Sequence, residues 1–424
     1  MAQQISSPRG TADVLPEESY KWRYVEGKLA DICARFGYRE IRLPTFEYTE
    51  LFERGVGETT DVVGKEMYTM LDKAGRSITL RPEGTANTAR AFLQHGLLSG
   101  PLPVRGFYLM SCFRYEKPQS GRLREFHQLG IELFGASGPD ADAEVIRVGD
   151  TVLREAGIKN IRLEINSIGC SKCRKEYHAA LKAYFENHKG KLCETCLDRL
   201  VRNPLRILDC KSPVCAEIAK DSPIVTDYLC DECSDHFDRV KSLLTVAGIK
   251  YELNPRIVRG LDYYSKTVFE FIHEAAGAQG TVCGGGRYDG LVELLDGPPT
   301  PGVGFGKGLE RLLAVMEAEG AIIPKPDACP LFICYIGEKG QSKARELVFE
   351  LQRKGVAAMY DINARSLKAQ LKFADKIGAQ HTLVLGDDEV AASKAELRNM
   401  ADSTTKSVET DVETLAVLFQ NQHN

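Results

Sequence analysis

Between Phe113 and Gly135 the chain reads FRYEKPQSGRLREFHQLGIELFG, and from Arg114 to Arg124 it sets Arg114, Lys117, Arg122 and Arg124 against one acid, Glu116. That balance suits a polyanion at the tip of a hairpin. Along a returning strand side chains alternate between faces, so Phe126, Gln128, Gly130, Glu132 and Phe134 share one, and Gly130 leaves an open floor between an amide and a carboxylate. A small polar ligand fits such a floor. In LRPEGT, Pro82 and Gly84 break a strand and leave Glu83 and Thr85 on its rim, an acid and a hydroxyl suited to an ammonium group, although an ordinary turn has the same composition. In RGLDYYS, Arg259 precedes Gly260, and two adjacent tyrosines on a strand face opposite sides, so at most one of Tyr263 and Tyr264 lines a pocket. In GVGFGKGLERLL the glycines permit close approach of backbone to ligand, and Arg311 falls in the first turn of the helix that follows. A cation there is electrostatically unfavourable, which points to an anionic ligand.

Two common phosphate loops are excluded. Lys307 is followed by Gly308 instead of Ser or Thr, Pro301 stands where a P-loop needs its first glycine, and no GxGxxG fingerprint occurs in this run. Eight of the 13 cysteines lie between Cys170 and Cys233. Cys170–Cys173, Cys193–Cys196 and Cys230–Cys233 have the two-residue gap that lets one turn offer two thiolates to a tetrahedral ion, and Cys210 and Cys215 form a looser pair. Four pairs suffice for two structural zinc sites of thiolates alone, expected away from Arg114 and Arg259. Spacing does not say which pairs share an ion, and reduced, partly buried thiols are the alternative.

The elements that must position these residues follow from periodicity. Trp22, Val25, Leu29, Ile32, Cys33 and Phe36 recur at helical spacing and predict a helix over 18–36, followed by Gly37 and a strand over 38–43 that stops at Pro44. Long strands are expected at 104–116 and 124–134, antiparallel across the polar loop KPQSGRL. A helical, cysteine-rich insertion over 170–240 interrupts a first domain of residues 1–325, whose strand-rich pattern resumes at Val258, with a glycine-rich turn at 284–286 and a helix from Leu309 to Glu319. The segment IIPKPDACP reads as a linker, and residues 326–424 alternate strand and helix as a small α/β domain. There Arg365, Lys368, Lys372 and Lys376 make one basic stripe on a helix, with Leu367, Leu371 and Ala374 turned to the core.

Composition bounds the rest. The chain has 424 residues, 43% hydrophobic and 27% charged, enough for several ordinary cores. With 55 Lys and Arg against 59 Asp and Glu the net charge is -4, so a polyanion must meet a local patch. Apolar runs fall far short of a membrane span. The N-terminus has no signal-peptide core, and an odd cysteine count does not suit a secreted scaffold, which places the protein in a reducing cytoplasm.

These motifs together resemble a known family. FRYEKPQSGRLREFHQLG resembles motif 2 of class II aminoacyl-tRNA synthetases, GVGFGKGLERL motif 3, and Tyr38 through Pro44 motif 1 at the dimer interface. LRPEGT and RGLDYYSKTVFEF resemble the two histidine signatures of histidyl-tRNA synthetases, and PRGTADVLP and GGGRYDGL are also similar to that family. One departure is FGKG in motif 3, where small residues are more frequent. The resemblance covers essentially the whole chain. It implies an α+β catalytic domain built on an antiparallel sheet, a helical insertion and a C-terminal α/β anticodon-binding domain. It also implies ATP with Mg2+, L-histidine, tRNA(His) and a homodimer. Glu83, Thr85 and Gln128 would hold the substrate ammonium, and Glu132 and Tyr264 would read its imidazole. Arg114, Glu116, Arg122 and Arg311 would bind ATP, with Arg259 against the α-phosphate. Lys117 and Gln119 would meet the acceptor end of tRNA, and the Arg365–Lys376 stripe its anticodon stem. Two rivals remain: a histidine-sensing regulatory subunit of ATP phosphoribosyltransferase, which would lack the insertion and C-terminal unit, and a class II synthetase for another amino acid.

Overall fold

The computed structural model describes residues 5–57, 60–119, 121–208, 210, 212–257, 259, 261–276, 280–325 and 329–420. The chain divides between Ile323 and Pro324 into two compact units, and the helices of the cysteine-rich insertion belong to the first.

The first unit is organised by an eight-stranded sheet. Its strands run in the order Arg39–Glu40, Val104–Phe113, Glu125–Phe134, Gly302–Gly308, Thr281–Arg287, Ser265–Ile272, Arg162–Ser167 and Glu252–Leu253. All neighbours are antiparallel except the first and last pairs. One face is apolar because its rows are apolar: Ile131, Phe305, Phe269 and Ile165 pack against Val25, Leu29 and Ile32, Val145 and Val152, and Leu312 and Val315 of three helices, Pro16–Arg35, Pro139–Glu155 and Leu309–Ala318. Each helix spaces its core residues three or four apart, which puts them on one side. The first begins with a proline in its opening turn and gives way to Gly37 at φ +80°, the left-handed conformation glycine adopts without penalty.

Several expectations need correction. Only Arg39 and Glu40 of the 38–43 strand join the sheet; the carbonyls of Leu43 and Pro44 accept Arg81 Nη1 at 2.7 and 3.0 Å, which diverts the backbone from a ladder. The hairpin strands end at Phe113 and begin at Glu125; beyond them Arg122 pairs with Glu116 at 2.8 Å and Arg124 Nε donates to the Glu116 carbonyl at 3.3 Å. The glycines at 284–286 form no turn: that run is a central strand of the sheet, paired with a second glycine-rich strand, Gly302–Gly308, that leads into the helix Leu309–Ala318. Val258, where the strand-rich pattern is expected to resume, lies outside the described residues.

The insertion enters after Arg162–Ser167 and packs four helices, Ser171–Glu186, Glu194–Arg202, Pro213–Ala219 and Asp231–Val246. Its core is small, centred on Tyr177, Leu181, Phe185, Leu200 and Ile207. The last helix is pinned to the catalytic body by buried polar groups, His236 Nε2 and Arg287 both meeting Asp142.

The second unit has a five-stranded sheet ordered Ala358–Tyr360, Cys329–Tyr335, Ala379–Leu385, Lys394–Asn399, Thr405–Glu409. Its first three strands are parallel and its last two antiparallel, a closing hairpin the alternation did not reveal. The start of the expected linker, Ile322–Lys325, has no regular structure, 326–328 lie outside the described residues, and Cys329 is already in a strand. On the helix Leu367–Lys376, Lys368, Lys372 and Lys376 are exposed. Arg365 precedes the helix, pairs with Asp361 at 3.1 Å and stacks over Phe373, so the stripe is three lysines beside a tethered arginine. Among the described residues no helix is long and apolar enough to cross a membrane.

Candidate active site

The second face of the large sheet carries the site, and its register explains how. Gly130, Gly306 and Gly284 are cross-strand partners in one row, and Gly304 and Gly286 sit beside Glu132 in the next. A side chain at any of these five positions would place its Cβ closer than 3.0 Å to an existing group. Gly130 makes room for the ring of Tyr108, Gly306 for the amide of Gln128, Gly284 for the guanidinium of Arg259, and Gly304 for the carboxylate of Glu132. The floor expected over Gly130 is therefore not open: Tyr108, its partner across the hairpin, covers it.

The residues singled out in the sequence fall into two groups. Arg114, Glu116, Arg122, Gln128, Arg259 and Arg311 line a cavity of about 760 Å³. Arg114 donates to the carbonyl of Pro82 at 2.8 Å and lies over Phe126; Arg122 pairs with Glu116 at 2.8 Å. Arg311 is anchored on the carbonyls of Thr281 (2.7 Å) and Gly121 (3.2 Å), and burial together with nearby Arg122 holds its pKa below the usual arginine value. Arg259 pairs with Glu270 and lies over Tyr264. Burial alone would lower its pKa, but the Glu270 charge more than reverses that, so it stays cationic. Its Nε has no hydrogen-bond partner, a donor left over on a cavity wall.

Glu83, Thr85, Glu132 and Tyr264 form the second, buried group. Glu83 accepts the N–H groups of Thr85 and Ala86 at 2.6 and 2.8 Å, capping the helix Thr85–Gln94. Glu132 accepts from Thr85 Oγ1 (2.7 Å), Tyr108 (3.1 Å) and Tyr288. Burial pushes its pKa up to about 8 even though these hydroxyls favour the ionised form. The tyrosine pair also departs from expectation. Tyr263 and Tyr264 precede the strand Ser265–Ile272, so the alternation rule does not apply; both are buried in one cluster with Tyr288, their rings 4.7 Å apart. Arg259 likewise lies outside any strand.

Lys117 and Gln119 are exposed on the 114–124 loop, Lys117 beside a second, smaller cavity with Arg9 and Arg124. Ser120, in the same loop, and Gly260 lie outside the described residues. Sequence reasoning missed Tyr108 and Tyr288, the two phenols on Glu132, and Glu270. A large side chain facing a glycine across a strand pair was the available signal for Tyr108. It also missed Asp61, Arg199 and Arg206, which line the same cavity.

The eight cysteines gather as Cys170, Cys173, Cys230 and Cys233, and as Cys193, Cys196, Cys210 and Cys215. The second group is not away from the arginines as expected: Cys193 and Cys210 line the cavity with Arg114 and Arg259, because the helix Glu194–Arg202 folds back over it.

Comparison with known proteins bears on what this cavity does. Residues 10–312 match the family model described as Histidyl-tRNA synthetase, and residues 331–422 match one described as Anticodon binding domain. A histidine–tRNA ligase of Acetivibrio thermocellus is 53% identical over 405 residues, covering 96% of this chain and 97% of the relative. One from Caldicellulosiruptor bescii is 52% identical over 406 residues, covering 96% of each. Among solved structures, apo histidyl-tRNA synthetase of S. aureus superposes with a TM-score of 0.84 at 38% identity, covering 98% of this chain and 100% of that one.

Proposed function

The chain belongs to the histidyl-tRNA synthetase family, and on that premise we propose how its cavity performs a histidine–tRNA ligase reaction. The enzyme activates L-histidine with ATP to histidyl-adenylate and pyrophosphate, then transfers histidine to the 3′-terminal ribose of tRNA(His). In the first step a histidine carboxylate oxygen bonds to the α-phosphorus as the bond to the β-phosphate oxygen breaks. Charge develops on the phosphoryl oxygens, and Arg259 is the cation assigned to them. Arg114, just past the end of the strand Val104–Phe113, and Arg311, in the first turn of the helix Leu309–Ala318, clamp the nucleotide, and Glu116 with Arg122 orders the loop beside it. Mg2+, which accompanies ATP, neutralises the outer phosphates. Glu83, Thr85 and Gln128 hold the ammonium of histidine, and Glu132 with Tyr264 reads the imidazole. In the second step a ribose hydroxyl of tRNA attacks the histidyl carbonyl and AMP leaves, with Lys117 and Gln119 on the acceptor end and Arg365, Lys368, Lys372 and Lys376 on the anticodon stem. The eight clustered cysteines enter neither step.

The observation that carries this reading is the unpartnered Arg259 Nε on a wall shared with Arg114 and Arg311. A homodimer through the edge around Arg39–Glu40 is supported by exposed apolar residues, Phe46, Tyr48, Met70 and Leu71, on a three-stranded sheet of Phe46–Tyr48, Ser77–Leu80 and Tyr68–Leu71. We place the enzyme in the cytoplasm with its tRNA. A histidine-sensing regulatory subunit is less well supported, since ligases match almost the whole chain. Exchange of labelled pyrophosphate into ATP tests the reading: exchange that requires histidine is expected, histidine binding without exchange would establish the sensor, and exchange with another amino acid would reassign the substrate.

A further inference from the structure

Two groups of four sulfurs stand out in the insertion. Within each, the sulfur atoms all lie within 4.8 Å of one another. A zinc ion with tetrahedral Zn–S bonds of about 2.3 Å requires sulfurs roughly 3.8 Å apart. Cys170 and Cys173 are 3.6 Å apart and Cys193 and Cys210 3.8 Å, and all thirteen cysteines are free. Each two-residue pair is built alike: Cys170, Cys193 and Cys230 stand immediately before a helix, and Cys173, Cys196 and Cys233 follow in its first turn.

Hydrogen-bond donors also converge on the sulfurs. Backbone N–H groups point at them: Cys230 N at Cys173 Sγ (3.1 Å), Cys193 N at Cys215 Sγ (3.3 Å) and Ser212 N at Cys210 Sγ (3.5 Å). Such donors suit metal-bound sulfur, and four sulfurs at this spacing stand where one tetrahedral cation would hold them.

The chain from Cys196 to Cys210 carries a second observation. Its Arg199 and Arg206 both reach Asp61 Oδ2 at 3.4 Å, Arg206 Nη1 donates to the carbonyl of Arg259 at 3.3 Å, and Asn203 reaches Asp262 at 3.4 Å. Arg174, one residue past Cys173, donates to the carbonyl of Tyr264 at 3.0 Å. The insertion thus grips the backbone of the 259–264 segment from both cysteine groups, and that segment carries two side chains of the site.

We propose that the insertion holds two zinc ions, one on Cys170, Cys173, Cys230 and Cys233 and one on Cys193, Cys196, Cys210 and Cys215, and that the second ion fixes the Cys196–Cys210 segment against the Arg259 loop. The metal takes no part in the chemistry. It replaces the deep core that this insertion is too small to build, and it makes Arg199, Asn203 and Arg206 positioning residues.

Elemental analysis of the full-length protein, purified without chelator, tests the sites. About two zinc ions per chain are expected. The pairing is read from double variants: Cys170→Ser with Cys230→Ser retains about one ion, as does Cys193→Ser with Cys210→Ser, whereas Cys170→Ser with Cys193→Ser retains none. One ion retained by the last variant would overturn the pairing. Metal-free protein of undiminished thermal stability, or disulfides in unreduced protein by mass spectrometry, would overturn the sites. Should a variant fail to fold, Co2+ exchanged into the wild-type protein must give the visible bands of a tetrahedral thiolate site, and their absence overturns the proposal equally. The positioning role is read from pyrophosphate exchange: Cys193→Ser with Cys210→Ser raises the KM for ATP roughly tenfold over Cys170→Ser with Cys230→Ser. Equal KM values for the two would leave zinc as a fastener of the insertion alone and refute the positioning.

Discussion

The two faces of the catalytic sheet are made from the same strands and obey opposite rules. On one face Leu129, Ile131, Phe305, Phe269 and Leu163 fill the space beneath three helices. On the other, glycines succeed one another across three strands so that Tyr108, Gln128, Glu132 and Arg259 can lie down on the backbone. The first face fixes the fold by volume. The second fixes the site by withholding it, and its polar groups are ordered by hydrogen bonds to one another. The contrast teaches that stability and recognition are segregated by strand alternation, one residue apart along each strand.

Substitutions on each face test that division. The largest effect is expected at Arg259: Arg259→Ala leaves the circular dichroism unchanged but lowers the rate of adenylate formation by roughly 10²–10³-fold or more, since a charge aimed at the reacting phosphoryl acts in the transition state. Near-normal exchange by the folded variant would remove Arg259 from the reaction.

Lys307 is the exception on the apolar face. It sits between Leu129 and Cys283 in register, 1% exposed, with no partner for its Nζ, and burial lowers its pKa to about 7. Unfolded chains hold this proton up to the ordinary value of 10.5, so between the two values the unfolded state binds more protons and stability rises with pH. Lys307→Met should raise stability by on the order of 2–4 kcal/mol at pH 7, the gain shrinking toward pH 10. Urea midpoints at two pH values measure it, and a pH-independent gain would deny that the ammonium is the cause.

Glu132 gives the mirror case on the glycine face. Its pKa is about 8 folded against 4.5 as an ordinary carboxyl, so the folded state keeps the proton longer and stability falls as pH rises through that window. Glu132→Gln should abolish this slope and stabilise the ligand-free protein at pH 8 by about 1–2 kcal/mol, less than the shift alone implies because an amide accepts poorly from three hydroxyls. Histidine-dependent exchange should fall at the same time. A variant that kept both slope and exchange would contradict the role given to Glu132.

Gly306→Ala should push the Gln128 amide aside and raise the KM for histidine about fivefold to tenfold while the apolar face keeps its packing. An unchanged KM would show that Gln128 is not held by the floor. The smallest effect belongs to neither face. Replacing Arg365, Lys368, Lys372 and Lys376 by Gln should weaken tRNA charging a few-fold and flatten its salt dependence, leaving adenylation untouched; a wild-type salt slope would make the helix a merely solvated one.

Much of this was legible in the sequence, for reasons that differ by element. The 16–35 helix and the hairpin strands were readable because each buries one face and so repeats at a helical or a two-residue period. Arg114, Gln128, Arg259 and Arg311 were found by charge and by neighbouring glycines, and they do share one cavity. The glycine run at 284–286 was misread as a turn because glycine's local preference is for bends, and only pairing across strands reveals a floor. Tyr108, Tyr288 and Glu270 were missed for the same reason: their meaning lies in partners 11 or more positions away, Gly130 for Tyr108, Glu132 for Tyr288 and Arg259 for Glu270. The two cysteine quartets were legible as pairs but not as sets, since local spacing carries no information about which helices meet.

The interleaving of the sheet has a consequence for the birth of the molecule. Gly130, Gly306 and Gly284 are neighbours in the floor but are drawn from distant stretches of chain. On a ribosome adding roughly 5–20 residues per second, the hairpin Val104–Phe134 emerges many seconds before the strand Gly302–Gly308 that must lie beside it. Until then one edge of the hairpin is unpaired, its glycine side without a neighbour and its apolar side without part of its cover, the kind of surface that joins strands from other chains. The insertion, whose contacts are closer in sequence, can close first and shield part of the growing sheet. The catalytic floor is therefore completed only near the end of the first unit's synthesis, and a chain that stops before residue 302 never forms that binding face.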